Sequence, residues 1–116
     1  MGKTAKPSKP RKVKAPAKPV LQLALGHHLI DVYRDPPEDI PDSINPVDVY
    51  GYYVPHSDGN GDIYVRSELE GDHAGETYIH ECIECANDCL DLNLNHTQIQ
   101  SLGFALQRLL KVTCPR

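Results

Sequence analysis

Thr77-Tyr78-Ile79-His80-Glu81-Cys82-Ile83-Glu84 marks the place in this 116-residue chain where the apolar pattern changes period. From about His73 to Leu92 the residues Ile79, Cys82, Ile83, Ala86 and Leu90 recur at intervals of three and four. That spacing predicts a helix with one buried stripe. Asp91–Asn95 breaks it, with Asn93 and Asn95 as turn and cap residues. A second helix is expected from about His96 to Lys111, with Ile99, Leu102, Leu106, Leu109 and Leu110 on its inner face. Arg108 and Lys111 stand near its end, where positive charge suits the helix dipole.

Upstream the pattern is that of strands. Leu29–Tyr33, Tyr50–Val54 and Asp62–Arg66 are rich in β-branched and aromatic residues. Ser57-Asp58-Gly59-Asn60-Gly61 contains both Asp-Gly and Asn-Gly, so the last two strands read as an antiparallel hairpin with the first beside it. Strands first and helices last predict the α+β class: a small antiparallel sheet of about three strands packed by a C-terminal helical hairpin.

Outside this body the composition shifts. Residues 1–19 are mostly Lys, Pro and Ala, a segment unable to bury enough apolar area to offset its ordering entropy, and are expected to form a disordered basic tail. Residues 35–48, dense in Pro and Asp, read as a loop. The net charge is −4, but seven of the twelve basic residues and none of the sixteen acidic ones fall in residues 1–19. Residues 20–116, read as one domain, therefore carry five basic against sixteen acidic side chains, a net of −11. A body so acidic is not built to grip nucleic acid, which leaves the tail either as a solubilising arm or as an electrostatic contact with nucleic acid or an acidic partner.

No run of about 18 apolar residues exists, so no membrane span or membrane partner is expected. Val20–Leu25 is too short for the apolar region of a signal peptide, and the four cysteines then read as reduced thiols of a cytoplasmic protein.

The chemistry-bearing residues sit on the first helix. His80 and Glu84, four apart, lie one turn from each other on the same face and can share an ion. Glu81 lies about 100° round from His80, near enough to face a water held by that ion without ligating it. This is the mechanical content of the zinc-peptidase helix motif His-Glu-x-x-His, with Glu84 in the fifth position. His96 begins the second helix, and an antiparallel hairpin turning at 91–95 brings it back as a third ligand. Zn²⁺ accepts two His and one Glu, and Glu81 is then the general base. The plainer reading is a surface ion pair at His80 and Glu84 and an exposed His96 beside its capping Asn95.

The order Leu23-x-x-Gly26-His27, short strand, Gly51-Tyr52 hairpin, Asp62-Ile63-Tyr64-Val65, Thr77-x-x-His80-Glu81 and then His96 resembles the minimal zincins of phages and mobile elements. The resemblance spans residues 23–110. It implies a zinc metallopeptidase-like domain with His80, Glu84 and His96 as metal ligands and Glu81 as base, acting on a peptide or protein from a host cytoplasm. It also implies that Asp62–Arg66 is the edge strand along which a peptide backbone is held. The alternative is a catalytically inactive zincin-fold accessory factor that binds a partner, with the basic tail touching nucleic acid.

Cys82, Cys85 and Cys89, three and four apart, share one helix side that the His80–Glu84 ion does not reach. Core packing, a three-cysteine metal site and redox sensing all remain open there. His27, His28, His56 and His73 stay outside the ligand set. Tyr52, Tyr53 and Tyr64 read as packing, one of them a candidate for orienting an oxyanion.

Overall fold

A computed structural model describes residues 18–34 and 50–116. Of the expected tail only Lys18 and Pro19 fall among them, and the expected loop 35–48 lies outside the described residues. The element order is β1 (Leu21–Leu25), β2 (His28–Tyr33), β3 (Gly51–Pro55), β4 (Gly61–Val65), α1 (Gly71–Cys89) and α2 (His96–Leu110). The fold is α+β.

The sheet has four strands in the order β1-β2-β4-β3, not about three. The additional strand is Leu21–Leu25, joined to β2 by Gly26 and His27. Gly26 adopts φ +62, the left-handed conformation a two-residue hairpin turn requires at its first central position. β2 pairs with β4 in parallel, while β1–β2 and β3–β4 are antiparallel. The β3–β4 turn is held by His56 N–H to the Asn60 carbonyl at 2.8 Å and Gly59 N–H to the His56 carbonyl at 3.1 Å.

Pairing on both sides makes β4 an interior strand. The expectation that Asp62–Arg66 forms the edge is therefore corrected. Gly61, Ile63 and Val65 are buried, as suits a strand covered by neighbours, whereas the edges are β1 and β3. Pro55, at the end of β3, has no N–H to donate and is tolerated there because the strand is an edge.

Alternation along the strands sends Ile30, Val32, Ile63 and Val65 to the inner face, each at most 1% exposed. Val32 stands opposite Ile63 in the parallel register. α1 lays Ala74, Tyr78 and Cys85 over this face, with Leu69 closing one end. Each fully buried aliphatic side chain contributes roughly 1.5–3 kcal/mol. On the outer face Tyr33, Tyr64 and Tyr52 stack in a row, with centroids 5.0 and 4.9 Å apart.

α2 packs on α1, but not through the expected leucines. Its buried residues are Ile99, Gly103 and Gln107, while Leu102, Leu109 and Leu110 are exposed. Close approach of the two backbones explains the difference. A Cβ placed on Gly103 would lie 3.6 Å from His80 Cα, and one on Gly75 of α1 would strike the Val112 carbonyl and come within 2.7 Å of Gln107 Nε2. The contact admits no side chain at Gly75, seats Gly103 in ordinary contact on His80, and leaves Leu106 half-buried with Leu102, Leu109 and Leu110 outward.

The last residues return to the sheet. Val112 and Cys114 pack against the core, and the buried Arg34 guanidinium donates to the carbonyls of Leu69, Arg66 and Pro115. These acceptors offset the cost of removing its charge from water. Among the described residues no helix is long and apolar enough to cross a membrane.

Candidate metal centre

His80, Glu81 and Glu84 are presented by the middle of α1, a 19-residue helix. His96 is presented by the first residue of α2, and its position depends on how that helix starts. The chain turns at Asp91 and Asn93, both in the left-handed conformation that short polar side chains tolerate. Asn87 of α1 clamps the return, its carbonyl oxygen accepting from Leu94 N–H at 2.8 Å. Asn95 then caps α2: its side chain accepts from Gln98 N–H at 2.8 Å, and the Gln98 side chain accepts from Asn95 N–H at 2.9 Å. This reciprocal box fixes the first turn, and with it His96.

The side chains of His80, Glu84 and His96 converge. One donor atom from each lies within 4.8 Å of the other two, the single such group of three or more among the described residues. His80 Nε2 is 3.3 Å from Glu84 Oε2, and the His80 and His96 rings are 6.0 Å apart between centroids. Ligands held at about 2.0–2.1 Å by a tetrahedral ion stand roughly 3.3–3.4 Å apart, so the His80–Glu84 pair already has the spacing and His96 needs only a small side-chain adjustment. The pair is half-buried, at 22% and 34% side-chain exposure. The donor set, two imidazoles and a carboxylate, is one that Zn²⁺ accepts.

Glu81 lies beside this group and is 8% exposed. Burial pushes its carboxyl up from 4.5 to about 8, and the neighbouring Glu84 charge adds to the effect. It lines a cleft of about 480 Å³ together with His80 and His96. The cleft wall from β3 begins at Gly51, where a Cβ would come 2.7 Å from Thr77 Cγ2 and 3.4 Å from Glu81 Cγ. Only glycine lets the strand backbone run this close to Thr77, with the Glu81 side chain in ordinary contact beside it.

Glu84 also borders a second recess of about 430 Å³ with Asn87, Asp88 and Tyr53.

All four residues singled out from the sequence thus meet at one place. Missed were Tyr50, His73, Thr77, Gln100 and Phe104, which line the same cleft. Spacing held the signal: His73 and Thr77 precede His80 by seven and three, and Gln100 and Phe104 follow His96 by four and eight. The other histidines have local partners. His28 Nδ1–H donates to the Gly59 carbonyl at 2.6 Å, and His56 Nε2 is 3.0 Å from Asp62 Oδ2. Of the tyrosines considered for an oxyanion, none lines the cleft: Tyr52 and Tyr64 stack on the outer sheet face, and Tyr53 donates to Asp88 Oδ2 at 2.8 Å.

The cysteines pack against the core, Cys85 at 4% exposure with Cys82, Cys89 and Cys114 around it. All four are free thiols. Burial pushes Cys82 up to about 11 and Cys85 up to about 12, so the thiolate that a metal needs is disfavoured.

No known protein family, curated protein or solved structure matches the chain.

Proposed function

We propose that this chain is a minimal zincin-like, zinc-dependent peptidase domain, with His80, Glu84 and His96 holding Zn²⁺ and Glu81 as the general base. The observation that carries the reading is the convergence of three donor atoms from two helices within 4.8 Å, with a buried carboxyl next to them on an open cleft. When bound there, the ion supplies a Lewis acid that polarises a carbonyl and lowers the pKa of a coordinated water to near 7.

The protein's own groups supply the rest. Glu81 sits in a dry position where burial raises its proton affinity, and a base that holds a proton near neutral pH is suited both to accept and to return one. It takes a proton from the attacking water as the new C–O bond forms and gives it to the amine as the C–N bond breaks. Gly51 keeps the backbone of β3 against Thr77, beside Glu81, so the edge strand that borders the cleft is β3. Its unpaired edge is the place for a peptide to lie as an added strand.

The test is elemental analysis of the purified full chain beside His96→Ala. About one zinc per chain in the first and background in the second supports the reading. Zinc retained in the variant, or absent from both, overturns it.

A further inference from the structure

The chain has six tyrosines and one phenylalanine. Five of these seven rings are engaged inside the fold. Tyr33, Tyr52 and Tyr64 stack on one another across the sheet, Tyr53 hydrogen-bonds Asp88, and Tyr78 is 8% exposed beneath α1. The remaining two, Tyr50 at 53% and Phe104 at 49% exposure, are at the surface, and both line the cleft that contains Glu81. They reach it from different elements, Tyr50 immediately before β3 and Phe104 from the middle of α2.

Each ring is braced by a polar neighbour. The edge of His73 meets Tyr50 at 4.6 Å between centroids, and the Arg108 guanidinium lies 4.4 Å from the centre of Phe104. Bracing of this kind lowers the entropy lost when a ring is gripped by a ligand. Gly51 and Gly103 also line the cleft and present only backbone to it. The rest of the lining is three histidines, Glu76, Glu81, Thr77 and Gln100, so an apolar side chain entering this concave site finds its apolar contact at the two half-exposed rings.

We infer that Tyr50 and Phe104 form a side-chain subsite that selects peptides carrying a bulky apolar or aromatic residue next to the reacting bond. The inference rests on the peptidase-like reading for the position of that bond; the subsite itself rests on the two rings.

The experiment uses the full chain with Glu81→Gln, so that bound peptide is not consumed. The tripeptides acetyl-Ala-Xaa-Ala-amide, with Xaa Gly, Ala, Leu or Phe, are titrated and followed by NMR chemical shifts, and zinc content is measured in the same samples. Affinity rises from Gly to Phe if the subsite exists. Adding Phe104→Ala weakens the Phe peptide roughly three- to tenfold with little effect on the Gly peptide, and Phe104→Leu restores part of the loss. Equal affinities across the series, or an order that Phe104→Ala leaves unchanged, overturns the subsite. Zinc content separates the two readings: the affinity order in a zinc-free protein supports the subsite and overturns the metal site, while zinc without the order does the reverse.

Discussion

α1 carries metal-ligating residue types on two sides. On one side stand His80, lining the cleft, and Glu84, bordering the recess next to it, both half-buried, with His96 arriving from α2. Towards the sheet stand Cys82, Cys85 and Cys89, at the same intervals of three and four, packed among Tyr53, Tyr78 and the core. Cys85 and Cys89 sulfurs are 4.0 Å apart, inside the 4.8 Å that spans the donors of the other side. The two sides differ in water. Cys82 and Cys85 are desolvated against the core, which holds their thiols neutral, and a neutral thiol is a small apolar filler. The imidazoles line the cleft and the Glu84 carboxylate borders the second recess, where their donor atoms stay available. What a side chain packs against, more than its spacing, separates a candidate ligand from a packing residue on this helix.

The comparison can be broken at its strongest point first. Glu81→Gln should keep the zinc and lower peptide hydrolysis by about 10²–10⁴-fold, read as initial rates at equal metal content. Unchanged rates would remove Glu81 from the chemistry.

Metal affinity provides the next contrast. His80→Ala is expected to weaken zinc binding by at least about 100-fold in a chelator competition, since even outer partners of such ligands are worth 10–100-fold. Cys85→Ser should leave zinc unaffected while lowering stability by roughly 1–3 kcal/mol, because a hydroxyl there is buried in apolar surroundings. A zinc loss in Cys85→Ser would erase the distinction between the two sides.

Thiol reactivity sharpens it further. At pH 8, iodoacetamide should modify Cys82 and Cys85 of the folded protein about two orders of magnitude more slowly than the same residues in denaturant, as mass spectrometry can follow.

The smallest effect is a pH slope. Glu81 in the metal-free fold holds its proton up to about pH 8, against 4.5 for the ordinary carboxyl. Between those values the folded state binds more protons than the unfolded one, so stability falls as pH rises. The slope is roughly 1 kcal/mol per pH unit at its steepest, and Glu81→Gln should flatten it in urea titrations.

How much of this was legible in the sequence varies along the chain. The buried side chains of α1 are Ala74, Tyr78, Glu81 and Cys85, not the expected stripe, whose Leu90 is 51% exposed. The existence of the two helices and the four residues of the candidate centre nonetheless follow from local rules: periodicity, i to i+4 spacing, and an Asn95–Gln98 cap that needs nothing from elsewhere. The face of α2 does not. Its leucines form the most apolar arc, yet the helix docks through Gly103 because the backbone of His80 lies against it. A preference for close approach between two helices is invisible to a pattern read one helix at a time. β1 was missed although Gly26-His27 is a workable hairpin turn, since its five residues carry no β-branched side chain. The interior place of β4 was likewise hidden. It depends on a parallel pairing with β2, 31 residues away in register, which no turn signal announces.

Arg34 has a bearing on how the protein is made. Its guanidinium closes on the carbonyl of Pro115, 81 residues further along the chain. The hairpin of β1 and β2 is translated early, but one acceptor of its buried guanidinium is synthesised 81 residues later. On the ribosome this half of the core must wait, with the arginine hydrated, until Pro115 is free to fold back. Completion of the domain is thereby tied to the emergence of Pro115, and a nascent chain arrested before that residue should remain far more open to protease than one extended past it.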